Sequence, residues 1–304
     1  MVKRVVITNY LGESVEYKIE GVDVFANNGL LITEIEGLGP TGADVIFTKL
    51  VSIDGSLYNS ARINERNIVI NARFTWANTI EEARLASYKM FPLKKMLKFE
   101  IETDHRKAFT YGYVEKNEPV IFSDECDMQV SVMCESPFFQ DANGETEEMF
   151  SNVVPCFEFV YENEGHSPVT EMSIYEPKHN SCIVYDGESD IGFSLILHAI
   201  GKVTNPAIYF LATGDSIAID TAKLKTLTGK DFDEGDDIII TSLPKQKTVY
   251  LLRDGTLTNI LNIMDKNIKW PTLSPGPNYF SYIADYGEEY LRCYVRYQAL
   301  YEGV

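Results

Sequence analysis

Few side chains in this sequence have the types and spacing that chemistry requires. Four histidines, His105, His166, His179 and His198, titrate near neutrality in ordinary surroundings. They are scattered, with no HExxH or other metal-ligand spacing. His198 lies in the apolar run "GFSLILHAI", where a histidine satisfied by a neighbour is the expectation and a catalytic base the exception. The acidic run "DFDEGDD" (Asp231, Asp233, Glu234, Asp236 and Asp237) offers oxygen ligands of the kind calcium takes. Gly235 is out of place for an EF-hand loop and no glutamate closes it, so a solvated turn before "IIIT" is expected. A glycosidase-like carboxylate pair is conceivable in a chain with 45 acidic residues, yet nothing ties two of them to one cleft. There is no GxSxG elbow, P-loop, GxGxxG followed by a helix, or CxxC pair. No catalytic residue, cofactor or metal is expected, and the chain reads as something other than an enzyme.

Two other constellations point to contact. In the stretch "DGSLYNSARINERNIVINARF" (54–74), residues from Asn67 onward alternate: Ile68, Ile70, Ala72 and Phe74 on one face, Asn67, Val69, Asn71 and Arg73 on the other. That predicts a strand buried on one side. Before it runs an irregular polar arm with Tyr58, Arg62, Glu65 and Arg66. A catalytic loop, a nucleic-acid grip and a clamp on a neighbouring subunit are the three candidate roles for the arm. The second constellation lies near the C-terminus, where Tyr290, Arg292, Tyr294 and Arg296 share one face and Leu291, Cys293, Val295 and Tyr297 the other. Arginines between tyrosines suit a packed polar contact surface; an edge strand with a mixed face is the simpler alternative. Tyr209, Phe210, Tyr279, Phe280 and Tyr282 have the chemistry to stack on sugar rings, but such residues more often pack across strands.

Composition narrows the class. The chain of 304 residues is 45% apolar and 24% charged, ordinary for a globular protein, and long enough for about two domains. No apolar run approaches the roughly 18–20 residues needed to span a membrane. The N-terminus reads as a first strand and hairpin rather than a signal peptide. Five cysteines (Cys126, Cys134, Cys156, Cys182 and Cys293) are odd in number and widely spaced, so free thiols in a reducing compartment are expected. Net charge is −18, with 15 Lys+Arg and 24 Asp+Glu in residues 1–150. Both halves are acidic, and neither supplies the clustered cations that tight, sequence-specific nucleic-acid binding needs. Such a surface still lets DNA slide past without sticking.

The elements that must position these residues are mostly strands. "NTIEEARLASYKMFPLKK" is the clearest helix: Thr79 and Glu82 form a capping box, Ile80, Ala83, Leu85 and Met90 supply apolar positions, and Pro92 stops it. "CDMQVSVMCESPFF" is a strand with Met128, Val130 and Val132 on one side. "QDANGETEEMFSN" has no apolar period and marks a boundary, giving domains 1–145 and 146–304. Many short strands follow, among them "CFEFVYENEG", with Gly/Asn/Asp/Pro turns; they predict a β-sandwich or jelly roll. "DGTLTNILNIMD" carries at least one helical turn.

The pattern as a whole resembles a known family. "LVSIDGSLYNSARINERNIVINARF" with the capped helix after it, then "CDMQVSVMCESPFFQD", "NPAIYF", "EGDDIIIT" and "LSPGPNYFSYIADYG", resemble the distal tail protein of long, non-contractile-tailed bacteriophages of Gram-positive hosts. The resemblance implies a mainly β fold. Its N-terminal part is a tail-tube-like β-sandwich or split barrel with one flanking helix, closing into a sixfold ring. Its C-terminal part is a galectin-like β-sandwich projecting outward. It implies a structural hub in the virion tail tip or baseplate, assembled in the host cytoplasm. The implied partners are other copies of the chain, the tail-tube protein, a tail-associated hub or lysin protein, and receptor-binding or tail-fibre proteins. On that reading the arm 41–66 clamps a neighbouring subunit, with Tyr58, Arg62, Glu65 and Arg66 at the contact; the alternative is that Arg66 only buttresses its own fold. Tyr279, Tyr282, Arg292, Tyr294 and Arg296 form a possible contact surface in the C-terminal domain. A carbohydrate-binding module that recognises host cell-wall glycan through that domain is the competing reading.

Overall fold

The computed structural model describes residues 2–18, 30–50, 54–74, 79–120, 127–155, 173–177, 180–264 and 268–304. Cys126, Cys156, His166, His179 and the expected strand "CFEFVYENEG" lie outside these residues. The chain divides into two compact units. The first is Met1–Gly144 together with Leu300–Val304, and the second is Glu145–Ala299. The final five residues, assigned above to the second domain, therefore belong to the first unit.

In the first unit, β1 (Val2–Thr8), β2 (Ser14–Lys18), β3 (Leu30–Glu36), β6 (Arg66–Phe74), β7 (Met96–Thr103), β8 (Lys107–Pro119) and β9 (Asp127–Cys134) form a sheet in the order β2-β1-β7-β8-β9-β6-β3. β10 (Phe139–Asp141) pairs with the start of β8 and with the last strand of the chain, Leu300–Tyr301. The expected alternation of β6 is present: Ile68, Ile70 and Ala72 are buried, while Asn67 and Arg73 are exposed. Other strands of the sheet repeat the pattern, with Leu97, Phe99 and Ile101 of β7 and Met128, Val130 and Val132 of β9 facing one continuous core. Helix α1 (Ile80–Met90) covers part of that core. Thr79 Oγ1 accepts from the Glu82 N–H at 3.3 Å, so the cap forms as expected. Buried Ser87 bonds Asn117 Oδ1 of β8 at 2.7 Å and fixes the last turn of the helix to the sheet. Leu85, expected as an inward position, is instead 59% exposed.

Among the described residues, Arg66 heads the largest fully buried side chains. Its Nη1 donates to the carbonyls of Gly37 and Gly39 at 2.5 and 2.7 Å. Its Nε and Nη2 donate to Pro137 at 2.9 and 2.6 Å, and Nη2 also reaches Glu302 at 2.6 Å. The guanidinium lies 4.2 Å over the Phe139 ring. Burial pushes its pKa below the usual arginine value, but a guanidinium remains protonated, so carbonyl dipoles and a ring face balance the charge. Five donors in a planar fork can serve three chain segments at once, and lysine has no such geometry. One of these carbonyls requires glycine: Gly37 has φ +84°, and a Cβ there would sit 2.0 Å from Asn67 O.

The second unit has two main sheets. One runs β11-β22-β15-β18-β19-β20, formed by β11 (Thr146–Met149), β15 (Ser194–Ala199), β18 (Asp237–Leu243), β19 (Gln246–Arg253), β20 (Thr256–Asn259) and β22 (Leu291–Tyr297). The other runs β14-β21-β16-β17, from β14 (Asn180–Tyr185), β16 (Ala207–Phe210), β17 (Asp215–Ala218) and β21 (Gly276–Ile283). β12 (Ser151–Pro155) pairs with β13 (Ser173–Pro177), and β23 is the terminal pair Leu300–Tyr301 already placed in the first unit. An aromatic cluster joins the two main sheets, with Phe280 of β21 5.0 Å from Phe150, 6.0 Å from Phe193 and 5.4 Å from Phe210 between ring centroids. This is a sandwich interior. A short helix, α2 (Thr221–Thr228), is capped by Asp220 and ended by left-handed Gly229. "DGTLTNILNIMD" supplies β20 and one 3-10 turn, Leu261–Ile263.

The Arg66 strap predicts a sharp contrast. Arg66→Lys keeps the charge but loses the fork, and should lower unfolding free energy by about 3 kcal/mol or more. Arg62→Lys, on an exposed strand, should change it by less than about 0.5 kcal/mol. Urea titrations followed by circular dichroism read both, and an unchanged midpoint for Arg66→Lys would show that the strap does not hold the unit.

Candidate functional site

The arm read as irregular is a β-hairpin. β4 (Ala43–Lys49) pairs only with β5 (Ser56–Ile63), and every residue of both strands is exposed. Its base is closed by the Asn64 N–H donating to Gly42 O at 3.1 Å, beside the Arg66 strap. Directly opposed residues share a face. One face therefore carries the pairs Ala43–Ile63, Val45–Ala61 and Phe47–Tyr58; the other carries Asp44–Arg62, Ile46–Ser60 and Thr48–Leu57, with an irregularity between Ile46 and Phe47. Phe47 and Tyr58 meet edge to face at 6.2 Å. The first face is an apolar stripe with Phe47 55% and Tyr58 58% exposed. A lone two-stranded ribbon is marginal in water, and exposed apolar stripes mark contact surfaces.

The structure separates the four arm residues. Tyr58 is on the apolar face, Arg62 is on the opposite face across from Asp44, and Glu65 is exposed at the root. Arg66 is buried, so its assignment to a subunit contact is corrected: its fork is spent inside its own unit. The residues that sequence reasoning missed are Val45, Phe47, Ala61 and Ile63; apolar content in β4 was the available signal.

The solvent face of the first unit's sheet is largely polar and internally paired. Ser131 bonds Asn67 at 3.0 Å and Glu115 at 3.1 Å, and Gln129 donates to Asn71 Oδ1 at 3.0 Å. Arg73 pairs with Asp127, Arg4 with Glu16, and Lys98 and Lys107 with Glu100. Lys98 also lies 4.5 Å over Phe109. Cations and anions alternate across this face, so its local field is near neutral.

In the second unit the expected contact surface is divided. Tyr282 is buried, with Phe280, on the inner face of β21, so it leaves the surface set; Tyr279 is 50% exposed on the other face. On β22, Leu291, Cys293, Val295 and Tyr297 are buried as expected, while Arg292 and Tyr294 are half-buried and Arg296 is exposed and ion-paired with Glu147. The strand lies between β11 and β15, so the edge-strand alternative does not hold. Outward positions of the other sheet, including Cys182, Val184, Tyr209, Tyr279 and Ile283, carry no charge.

The acidic run is a tied turn. Buried Asp236 accepts from both Arg253 Nε (2.6 Å) and Nη2, while Arg253 Nη2 also donates to Asp231 O at 2.6 Å. Asp231 is gripped by Lys225 at 3.1 Å and Lys202 at 3.2 Å, whose hydrogen bonds hold it below the usual carboxylate range. His198 Nδ1 lies 2.6 Å from Asp237 Oδ1 on paired strands. No group of three or more His, Cys, Asp or Glu able to hold a metal occurs among the described residues, and neither helix is long and apolar enough to cross a membrane.

Taken together, these features define a mainly β protein of two units, an open sheet with one flanking helix followed by a β-sandwich, whose exposed features suit contact. A phage tail protein has this fold. The Dit protein of SPP1, described as a paradigm of the hub adsorption apparatus in phages infecting Gram-positive hosts, aligns with a TM-score of 0.62 at 10% identity, covering 97% of this chain and 98% of its own. The phage P2 baseplate in its activated conformation with calcium aligns with a TM-score of 0.46 at 12% identity, covering 98% of this chain and 99% of its own. The strontium form of that baseplate gives 0.44 at 12% identity, covering the same shares. No protein-family model matches the sequence, and no curated protein does.

The gripped carboxylates give the second unit a pH dependence. Asp231 is held down by its lysines, and Asp220 by the Lys223 N–H and ammonium. A carboxyl with a lowered folded pKa stabilises fully above its unfolded pKa and loses that contribution as pH falls through the folded value. The urea midpoint of the intact chain should therefore fall as pH drops below about 4. Replacing Lys202 and Lys225 by methionine should flatten the drop, and an identical profile in that variant would remove these pairs from the account.

Proposed function

We propose that this protein is a structural hub of a bacteriophage tail tip. In this reading about six copies close into a ring that joins the tail tube to the host-adsorption apparatus, and DNA passes through it. The first unit makes the ring and the second offers surface to further tail components. The observation that carries the reading is the end-to-end fold match to the SPP1 hub protein, across nearly all of both chains. The hairpin supports the ring. An element with an uncovered apolar face and no core of its own suits a head-to-tail contact, the kind that closes rings. The paired polar sheet face supports the passage, because a surface with no excess of cations offers DNA no counterion release.

Light scattering after size exclusion, with negative-stain images of the same fraction, tests the ring. The expected result is a mass of about six subunits with a central hole, and a chain with residues 43–63 replaced by a short Gly-Ser turn should run as a folded monomer. A chain that stays monomeric both alone and with its tail-tube protein argues against the hub reading. The passage has its own test. The wild type should leave duplex DNA mobility unchanged at physiological salt. Glu100→Lys with Glu102→Lys and Glu115→Lys should retard it in a salt-sensitive way. Retention by the wild type, or none by the triple variant, counts against this face as the lining.

A further inference from the structure

The sequence contains two Asn-Gly pairs, Asn28–Gly29 and Asn143–Gly144. The first lies outside the described residues. The second ends the main segment of the first unit, after β10 and before β11. We propose that Asn143 is a site of spontaneous deamidation in the folded protein, with water as co-reactant and an aspartyl or isoaspartyl residue as product.

Hydrogen bonding stops at this point of the chain. Gln140 and Asp141 pair with Phe109 and Ala108 of β8, and the Ala142 N–H donates to Lys107 O at 2.9 Å. The Asn143 N–H then turns back to Asp141 Oδ1 at 2.9 Å, an Asx turn. Beyond it, neither the Asn143 carboxamide nor the Gly144 N–H has a hydrogen-bond partner among the described residues, and β11 begins only at Thr146. Other turn asparagines differ. Asn9 Oδ1 accepts from the Leu11 and Glu13 N–H groups at 2.9 and 3.0 Å, Asn205 Nδ2 donates to Asp285 Oδ2 at 2.8 Å, and Asn278 Nδ2 donates to Ser274 O at 2.8 Å. A carboxamide so engaged must break bonds before its carbon can be attacked, whereas that of Asn143 need not. Asn143 and Gly144 are both exposed. Gly144 has φ +106°, and nothing lies within 4 Å of the place a Cβ would take, so the backbone has room to turn.

The chemistry follows from the two side chains. The Gly144 nitrogen attacks Asn143 Cγ, and an N–Cγ bond closes a five-membered imide. The Cγ–Nδ2 bond breaks, and ammonia leaves with the proton that Gly144 gives up. A side chain at 144 would crowd this approach, and glycine has none. Water then opens the imide at either carbonyl. Cleavage of the N–Cγ bond leaves aspartate on the original main chain. Cleavage of the bond between that nitrogen and the main-chain carbonyl of residue 143 leaves isoaspartate, with the main chain routed through the former side chain and one methylene longer. Nothing is oxidised or reduced. Either product adds a carboxylate between Asp141 and Glu145.

The intact chain, incubated warm at mildly alkaline pH, tests the assignment. Cleavage after glutamate releases residues 136–145, in which Asn143 is the only asparagine. Mass spectrometry reads the fraction of this peptide that has gained about one dalton, and an isoaspartyl methyltransferase labels the isoaspartyl product. The same incubation in guanidinium chloride gives the rate for the unfolded chain. The native rate should lie within about tenfold of the unfolded one, as for a segment whose local opening costs almost nothing. Asn143→Gln, which keeps the amide but would need a six-membered ring, should show no isoaspartyl label in this peptide. A native rate more than about tenfold below the unfolded one would mean that the turn protects the carboxamide, and would overturn the proposal. Label persisting in the Asn143→Gln peptide would assign it to Asp141 and overturn the proposal as well.

Discussion

The first unit depends on a single buried guanidinium. Arg66 ties the Gly37–Gly39 connection, the Pro137 turn and the C-terminal Glu302 to one point, with Phe139 beneath it. The farthest of them, Glu302, lies 236 residues from Arg66 in sequence, and no local propensity brings these segments together. Burying a charge without a carboxylate is tolerable only when donors and acceptors are matched nearly one for one. The arrangement explains why the last residues of the chain pack with the first unit. Glu302 O completes the strap, the Val304 N–H reaches Leu38 O at 3.1 Å, and Arg106 Nη1 holds Gly303 O at 3.0 Å.

The same point is the root of the hairpin. Gly39 and Arg66 bracket residues 40–65, so the ribbon emerges from the most rigidly specified place in the unit. Among the described residues of the ribbon, ladder bonds, the Phe47–Tyr58 contact and the Asn59–Thr48 side-chain bond at 2.6 Å hold the strands. A rigid root with a weakly self-supporting ribbon keeps the direction of departure fixed and leaves the apolar stripe available. The strap therefore bears on how the ribbon is presented even though its side chain touches no outer surface.

What the sequence revealed follows from burial contrast. β6, β9 and β22 were legible because one face of each is buried and the period of two is clean; α1 was legible because Thr79 and Pro92 are punctuation with a mechanism. The hairpin was read as irregular because no face of it is buried within the chain. Val45, Ile46 and Phe47 are consecutive and apolar, and the bulge beside them breaks the alternation. Helix α2 escaped because "TAKLKTLT" is short and rich in threonine, a poor helix former; its only signals are the Asp220 cap and Gly229. Arg66 was misjudged because arginine is rarely fully buried, and the carbonyls that make burial acceptable come from distant segments. Tyr282 is a different failure. It stands two residues from Phe280 on one strand, so the two had to share a face, and Tyr279 had to oppose them.

The charge pattern favours contact over chemistry for a physical reason. A catalytic acid or base is tuned by its surroundings so that its pKa moves toward the working pH. Here several carboxylates are half-buried and lysine-paired, as at Asp215, Asp220 and Asp231, and their shifts run downward, away from neutrality. Asp236 meets a full arginine fork. Exposed apolar surface is therefore the more informative feature of the fold, and in the first unit the β4–β5 hairpin carries it. Open edges are a liability when flat and unguarded. At the β2 edge, the neighbouring ladder is braced by the Arg4–Glu16 pair, and at the β3 edge the register slips between Ile32 and Glu34. Strand-on-strand growth into an unlimited sheet is disfavoured at both. The β4–β5 ribbon instead presents side chains from a root held by the Arg66 strap, so what it offers outward is set by those side chains rather than by a ladder that any strand could extend.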